Sequence, residues 1–191
     1  MSGTGLAAAA TQSLNEVTIY IGGVHASAEP VIVRTLLGSC IAVCLWDRER
    51  GIGGMNHFLL PSGDSPEGDP GRFGVHAMDR LIGGMMKLGA DRRRIVAKVF
   101  GGAHVLDIAE SATGVPQRNI AFIRDFLRHD RIPVAAEDVG GHAPRDVRFY
   151  TATNRVRVRR VAAVRTQARL VRAEHRAEVA APASGSVELW D

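Results

Sequence analysis

The strongest constraint on the fold is an unbroken apolar run, CIAVCLW, at residues 40–46. A strand with one solvated face alternates apolar and polar side chains, so this run predicts a strand that is buried on both faces. The next stretch, GIGGMNHFLL at 51–60, is also apolar, and the charged segment DRERG between the two predicts a hairpin turn. The fold must therefore cover both sides of this hairpin.

Further strands and two helices are predicted around the hairpin. A 3.6-residue apolar period predicts helices over 72–88 and 117–132, and the turn-rich segment 62–71 predicts a surface loop. Strands are predicted at 17–22, 31–37, 94–103, 133–141, 146–153 and 155–161. Several strands followed by helix, strand, helix and more strands favour a single-domain α/β sandwich of mixed, largely antiparallel strands with two main helices.

Length and composition indicate one globular domain with two tails. The chain has 191 residues, of which 46% are hydrophobic and 23% charged, enough for one substantial core. Low-complexity composition predicts a flexible N-terminal tail at 1–15, and the domain is expected to span 16–164. No leader pattern and no apolar stretch of membrane-spanning length is found, so a cytoplasmic protein without membrane insertion is expected.

The net charge of +4 is unevenly placed along the chain. Segment 155–176 is rich in arginine and holds one acidic residue, Glu174, whereas the rest of the chain is near neutral. No nucleic-acid partner is therefore expected. The C-terminal extension at 165–191 is either a solvated tail or a basic amphipathic helix followed by a disordered end, and such a helix would bind an acidic partner or anionic lipid.

The two cysteines of the chain are candidates for chemistry because a reducing compartment disfavours structural disulfides. Each is a buried hydrophobe, a metal ligand or a nucleophile. Cys40 and Cys44 lie about 13 Å apart along one strand, too far for a disulfide with each other. The same separation argues against a tetrahedral zinc site built with His57, His76 or His104, so no metal is expected.

Hairpin geometry places Cys40 next to His57. A turn centred near Glu49 sets Cys40 opposite His57, and directly paired residues share a face with Cβ atoms about 4.5 to 5.5 Å apart. A neighbouring imidazolium lowers the pKa of a thiol and later acts as general acid. Thr35, five residues before Cys40, is a candidate to orient the imidazole. The alternative is a packed core cysteine beside an incidental histidine.

Separated sequence blocks occur in a specific order along the chain: LLGSCIAVCLWD, GGMNHFLLP, KVFGGA, Arg118 with Asn119, and DVGG followed by Arg145. In these blocks the chain resembles the CheD family, the chemoreceptor glutamine deamidases of bacterial chemotaxis, and the resemblance spans about residues 17–161. It implies a fold similar to the catalytic domains of toxin deamidases, with a Cys, His and Thr triad.

The resemblance assigns the nucleophile to Cys40 and the histidine to His57, seventeen residues later. The family threonine lies six residues before the cysteine, where this chain has Arg34. Thr35 is therefore the candidate for the third role and Ser39 the alternative. The segment GGHAPRD also lacks a glycine that the family pattern has before the arginine, which affects the expected shape of that loop.

The resemblance further implies a reaction and its partners. The thiolate attacks a receptor glutamine, ammonia leaves, and water splits the thioester to give glutamate, with no cofactor required. Expected partners are the cytoplasmic domains of methyl-accepting chemoreceptors and a CheC phosphatase, and a monomer is expected. The alternative is a non-catalytic adaptor that binds receptors or CheC.

Overall fold

The computed structural model describes residues 14–60, 71–105 and 114–162. These segments form nine strands, two α-helices and one short 3-10 turn. In chain order they are β1 Asn15–Thr18, β2 Val24–Ser27, β3 Val31–Leu37, β4 Ile41–Asp47, β5 Ile52–Phe58, α1 Gly71–Lys87, the 3-10 turn Arg92–Arg94, β6 Ile95–Gly101, α2 Val115–His129, β7 Val134–Val139, β8 Arg145–Tyr150 and β9 Arg155–Arg160.

The strands form two sheets, in the orders β1-β3-β8-β9 and β2-β5-β4-β6-β7. The β1–β3 and β6–β7 pairs are parallel and the other pairs are antiparallel. The predicted α/β fold with mixed, largely antiparallel strands and two main helices is confirmed. Strand β4 is central in the larger sheet, where the apolar run required it to be.

Both faces of β4 are buried, each in a different core. Ile41, Val43 and Leu45 point toward the helices and pack with residues such as Leu81 of α1 and Ile123 of α2. Ala42 and Cys44 point the other way, into the space between the two sheets, and belong to a second core with these residues of the smaller sheet: Val33, Leu37, Val147 and Phe149. Fully burying a side chain of this kind stabilises the fold by about 1.5–3 kcal/mol, so the cores fix the three-layer arrangement.

The strand predicted at 17–22 is wrong in its extent, and the strand at Val24–Ser27 was not predicted. Strand β1 ends at Thr18 and belongs to the smaller sheet, whereas β2 belongs to the larger one. Between them Gly22 adopts a left-handed φ of 76° and donates its N–H to the His57 carbonyl. The chain crosses from one sheet to the other here, which apolar alternation does not reveal.

The predicted hairpin register is wrong by two residues. His57 lies opposite Ala42 rather than Cys40, because the turn comprises residues 48–51 and closes on the Asp47–Ile52 pair. Gly51 ends the turn with a left-handed φ of 65° and donates its N–H to the Asp47 carbonyl at 2.9 Å. A two-residue shift preserves the side-chain alternation, so the predicted faces are kept although the predicted partners are not.

Most of the predicted tails lie outside the described residues. The N-terminal tail at 1–15 is described only at Leu14 and at Asn15, which begins β1. The C-terminal extension at 165–191 and nearly all of the loop predicted at 62–71 are also outside. In the described part of the basic segment, Arg155–Arg160 forms strand β9, as predicted. Within the described ranges, neither helix combines the length and apolarity needed to cross a membrane.

Candidate active site

Both backbone polar groups of His57, in β5, are hydrogen-bonded to the segment between β1 and β2. Its N–H donates to the Gly23 carbonyl at 3.0 Å, and its own carbonyl accepts the Gly22 N–H at 2.8 Å. Its side chain shares the inner face of the larger sheet with Ala42, its partner across the β4–β5 ladder, and only 3% of the residue is exposed. The crossing between β1 and β2 therefore fixes the position of this imidazole.

Thr35 of β3 binds the His57 ring from the opposite sheet. Thr35 is buried, and its Oγ1 lies 2.8 Å from His57 Nδ1 and 2.8 Å from the Ile19 carbonyl oxygen. A carbonyl only accepts, so the single hydroxyl proton of Thr35 goes to Ile19 and Oγ1 accepts from Nδ1–H. This network assigns the Nδ1–H tautomer and leaves the lone pair on Nε2.

The neutral form of His57 is the stable one in this environment. Burial lowers the pKa of His57 from 6.5 to about 3, because the interior solvates a charged imidazolium poorly. Nε2 is buried and has no hydrogen-bond partner among the residues that the structure describes. At neutral pH the ring therefore presents an unprotonated nitrogen between the sheets.

Cys40 lies on the same face as His57, just before β4 begins. It is 3% exposed and joins Ala42 and Cys44 in the core between the sheets. His57 pairs with Ala42, and Cys40 precedes the ladder by one residue, with its side chain in the core on the same face as Ala42. The structure thus brings Cys40, His57 and Thr35 to one region, with Thr35 as the residue that contacts the ring.

A glycine turn at the end of β6 holds the segment around Cys40. The Gly102 N–H donates to the Cys40 carbonyl and the Ala103 N–H donates to the Gly38 carbonyl, both at 2.8 Å. Gly101 has a left-handed φ of 114°, and a Cβ placed there would overlap the Cys40 carbonyl oxygen. Only glycine permits this close approach of the two chain segments.

Ser39 and Asn119 contribute differently from what the sequence suggested. The Ser39 carbonyl accepts a hydrogen bond from Asn119 Nδ2 at 3.0 Å, whereas the ring contact predicted for either Thr35 or Ser39 is made by Thr35. The sequence blocks include Asn119 but assign it no role. A usable signal was present: it shares the apolar stripe of α2 with Ile123 and Leu127 and is fully buried. A polar residue in such a stripe indicates a specific hydrogen-bonding role.

The other candidate residues have different surroundings. Burial raises the pKa of the Cys44 thiol, and Cys44 lies inside β4 with ladder neighbours on both sides. His76 is exposed on α1. The His104 ring contacts Gln117 Nε2 and lies 5.9 Å from the His142 ring, centroid to centroid.

A buried thiol, a neutral imidazole and a threonine hydroxyl that fixes the imidazole tautomer are groups suited to acyl transfer through a thioester. The fold and the site thus define a class: a two-sheet α/β protein with a Cys, His and Thr constellation between its sheets.

Comparison with known proteins gives the family within that class. The model of the family described as "CheD chemotactic sensory transduction" matches residues 59–160. A relative from Chromobacterium violaceum, named "probable chemoreceptor glutamine deamidase CheD 2", is 46% identical over 151 residues, covering 78% of this chain and 75% of its own. Relatives from Stenotrophomonas maltophilia and Xanthomonas campestris, named as probable chemoreceptor glutamine deamidases CheD, are 46% and 48% identical, each covering 82% of this chain and 80% of their own. The chain belongs to the CheD family.

Proposed function

We propose that this protein is a chemoreceptor glutamine deamidase, which hydrolyses glutamine side chains of chemoreceptors to glutamate and ammonia. The names of its relatives support this activity. The observation that carries the chemistry is the orientation of His57, whose Nδ1–H is held by Thr35 while the Nε2 lone pair remains available on the face that Cys40 shares.

The first half of the reaction forms a thioester. The Cys40 thiol transfers its proton to His57 Nε2, and the sulfur attacks the carboxamide carbon of the substrate glutamine. The carbonyl π electrons move to oxygen, and backbone N–H groups near Cys40 stabilise this oxyanion. The oxyanion then collapses, the C–N bond breaks, and the leaving nitrogen takes the proton from Nε2 to depart as ammonia.

The second half releases glutamate. Water donates a proton to His57 Nε2 and attacks the thioester carbon, and the resulting intermediate expels the sulfur. The sulfur recovers the proton from Nε2, so the protein returns to its starting state. Because burial favours the neutral imidazole, His57 starts each half reaction as a base rather than as half of a standing ion pair. Side chains and water supply every proton, so the scheme needs no cofactor.

We further propose the cellular setting that the family resemblance implies. The substrates are the cytoplasmic domains of methyl-accepting chemoreceptors, the enzyme acts in the cytoplasm as a monomer, and a CheC phosphatase is a further partner. The new glutamate becomes a methylation site, through which the enzyme adjusts sensory adaptation.

Peptide mass spectrometry of a receptor cytoplasmic domain tests the proposal. Wild-type protein should convert specific glutamines to glutamates, and Cys40→Ala should reduce conversion to the background of the receptor alone while still binding the receptor. Cys44→Ala is the matched control, because it removes the other thiol of the same strand face; conversion should persist. Receptor binding without conversion by the wild-type protein would reject the deamidase and support an adaptor.

A further inference from the structure

Three successive carbonyl groups around Cys40 each accept a hydrogen bond from a different donor. The Gly38 oxygen accepts from Ala103 N–H, and the Cys40 oxygen accepts from Gly102 N–H. Between them, the Ser39 oxygen accepts from the side chain of Asn119. The orientation of the Ser39–Cys40 peptide thus depends on a side chain, whereas its neighbours are held by backbone groups.

The orientation of the Asn119 amide is set by its two partners. Its Oδ1 accepts the Leu60 N–H at 2.8 Å, and its Nδ2 donates to the Ser39 carbonyl at 3.0 Å. The Leu60 group can only donate and the Ser39 group can only accept, so the amide has one satisfactory orientation. Asn119 is fully buried, and it thereby connects the segment before β4 to the segment after β5.

Peptide geometry transmits this bond to the nucleophile. In a trans peptide the carbonyl of one residue and the N–H of the next point in opposite directions, and the described residues contain no cis peptide. Fixing the Ser39 carbonyl toward α2 therefore directs the Cys40 N–H away from α2. In acyl transfer, the amide of the nucleophile itself is a common oxyanion donor.

We propose that Asn119 is a positioning residue that fixes the Ser39–Cys40 peptide so that the Cys40 N–H stabilises the oxyanion of the deamidation reaction. This inference rests on the proposed function. Asn119 acts through the peptide plane, because its two hydrogen bonds described above go to backbone groups of Leu60 and Ser39.

Asn119→Asp is the sharpest perturbation, because it keeps the shape of the side chain and its acceptor for Leu60. Burial raises the pKa of this carboxyl, so the assay is run at a pH high enough to ionise it; the carboxylate then faces the Ser39 carbonyl with an oxygen instead of an N–H, and the repulsion turns the peptide. Removal of one oxyanion donor typically costs about 100- to 1,000-fold in kcat, so we expect kcat to fall on the order of 100-fold with KM for the receptor fragment little changed.

Asn56→Asp is the matched control for stability. Asn56 is also fully buried and also bridges two backbone groups, since it accepts the Val43 N–H at 3.0 Å and donates to the Ala77 carbonyl at 3.2 Å. It points toward α1, on the face of β5 away from Cys40. This control should lose thermal stability as Asn119→Asp does, while its kcat below the unfolding transition stays near wild type.

Alkylation of Cys40 by iodoacetamide distinguishes an effect on oxyanion stabilisation from an effect on the nucleophile. That reaction displaces iodide from a CH₂ group and forms no oxyanion, although it uses the same thiol and the same base. In Asn119→Asp the alkylation rate, read at the Cys40 peptide by mass spectrometry, should stay within about threefold of wild type while deamidation falls.

The pH dependence gives a second signature. Lowering the pH protonates the introduced carboxylate, whose O–H then donates to the Ser39 carbonyl. The ratio of variant to wild-type kcat should therefore rise as the pH falls. Asn119→Ser shortens the side chain without burying a charge. It should show the same loss of kcat and the same retained alkylation, but its kcat should not recover at low pH. This variant replaces Asn119→Asp in the test if Asn119→Asp does not fold.

Each result has a distinct meaning. No deamidation by the wild-type protein rejects the proposed function itself. Wild-type turnover together with unchanged kcat in both Asn119 variants overturns the positioning role. A parallel fall of deamidation and alkylation also overturns it, because Asn119 would then support the nucleophile rather than the oxyanion.

Discussion

Replacing Thr35 by valine removes the hydroxyl while nearly preserving the shape of the side chain. Two buried groups then lose their partner: the Ile19 carbonyl and the Nδ1–H of His57, each of which lies 2.8 Å from Oγ1. Leaving a buried polar group unsatisfied costs about 1–3 kcal/mol, so the free energy of unfolding should fall by at least about 2 kcal/mol.

The effect on turnover comes from the tautomer. Thr35 accepts from Nδ1–H and so favours the form of His57 with its lone pair on Nε2. Losing an interaction worth about 1–3 kcal/mol shifts the equilibrium between the two tautomers by about 5- to 150-fold, so kcat should fall by at most that factor. The loss is smaller than that of Cys40→Ala, because the thiol and the ring are both still present.

Thr35→Ser retains the hydroxyl and should recover most of the turnover, even though it loses a methyl group from the core. The assay is kcat for receptor deamidation, measured well below the melting temperature of each variant. Wild-type kcat in Thr35→Val would refute the tautomer argument. A loss in Ser39→Ala with none in Thr35→Val would give the third role to Ser39.

Two further perturbations test the glycine turn and the buried ring. Gly101→Ala should greatly reduce both kcat and stability, because the added Cβ would overlap the Cys40 carbonyl. Gly89 has a similar φ of 101° but open space around it, so Gly89→Ala should reduce stability and leave kcat unchanged. Equal losses of kcat in the two variants would contradict this reasoning. The value of kcat/KM should stay level between about pH 7.5 and 6, because burial lowers the pKa of His57 to about 3, and an acid limb at 6.5 would contradict the neutral base. Below pH 6.5 unfolded His57 binds a proton that the folded state excludes, so His57 alone should lower the stability by about 1.4 kcal/mol per pH unit. His57→Gln should reduce the pH slope of stability, measured by calorimetry, by that amount.

The face that Cys40 and His57 share was predictable from sequence because strand alternation has a period of two. An error of two residues in the hairpin register changed the partner of His57 from Cys40 to Ala42 but left every side chain on its predicted face. The apolar run of β4 likewise predicted two covering layers. These predictions depend on the alternation of side chains along a strand and on which residues are apolar, and both can be read from the local sequence.

Contacts between elements distant in sequence were not predictable in the same way. The bond from Thr35 to His57 requires β3 and β5, which belong to different sheets, to face each other, and the sequence left Thr35 and Ser39 as alternatives. The crossing at Gly22 was not predicted, because the sequence does not show that this glycine has a left-handed φ. Two short strands joined by such a glycine have the same residue pattern as one longer strand that contains a glycine. Packing decides such cases, and packing is not a local property of the sequence.

Cys40 and Cys44 show why residue type and face are insufficient to define a nucleophile. Both point into the core between the sheets. Cys44 lies within β4, paired with Met55 on one side and Lys98 on the other, and burial raises the pKa of its thiol. Cys40 lies one residue before the strand, where its carbonyl is held by the glycine turn and the peptide before it by Asn119. A backbone that bends before entering the ladder can aim an amide at a substrate oxygen, whereas a backbone inside two ladders has both of its polar groups directed at neighbouring strands. The start of β4, rather than the cysteine itself, is therefore what distinguishes the candidate nucleophile.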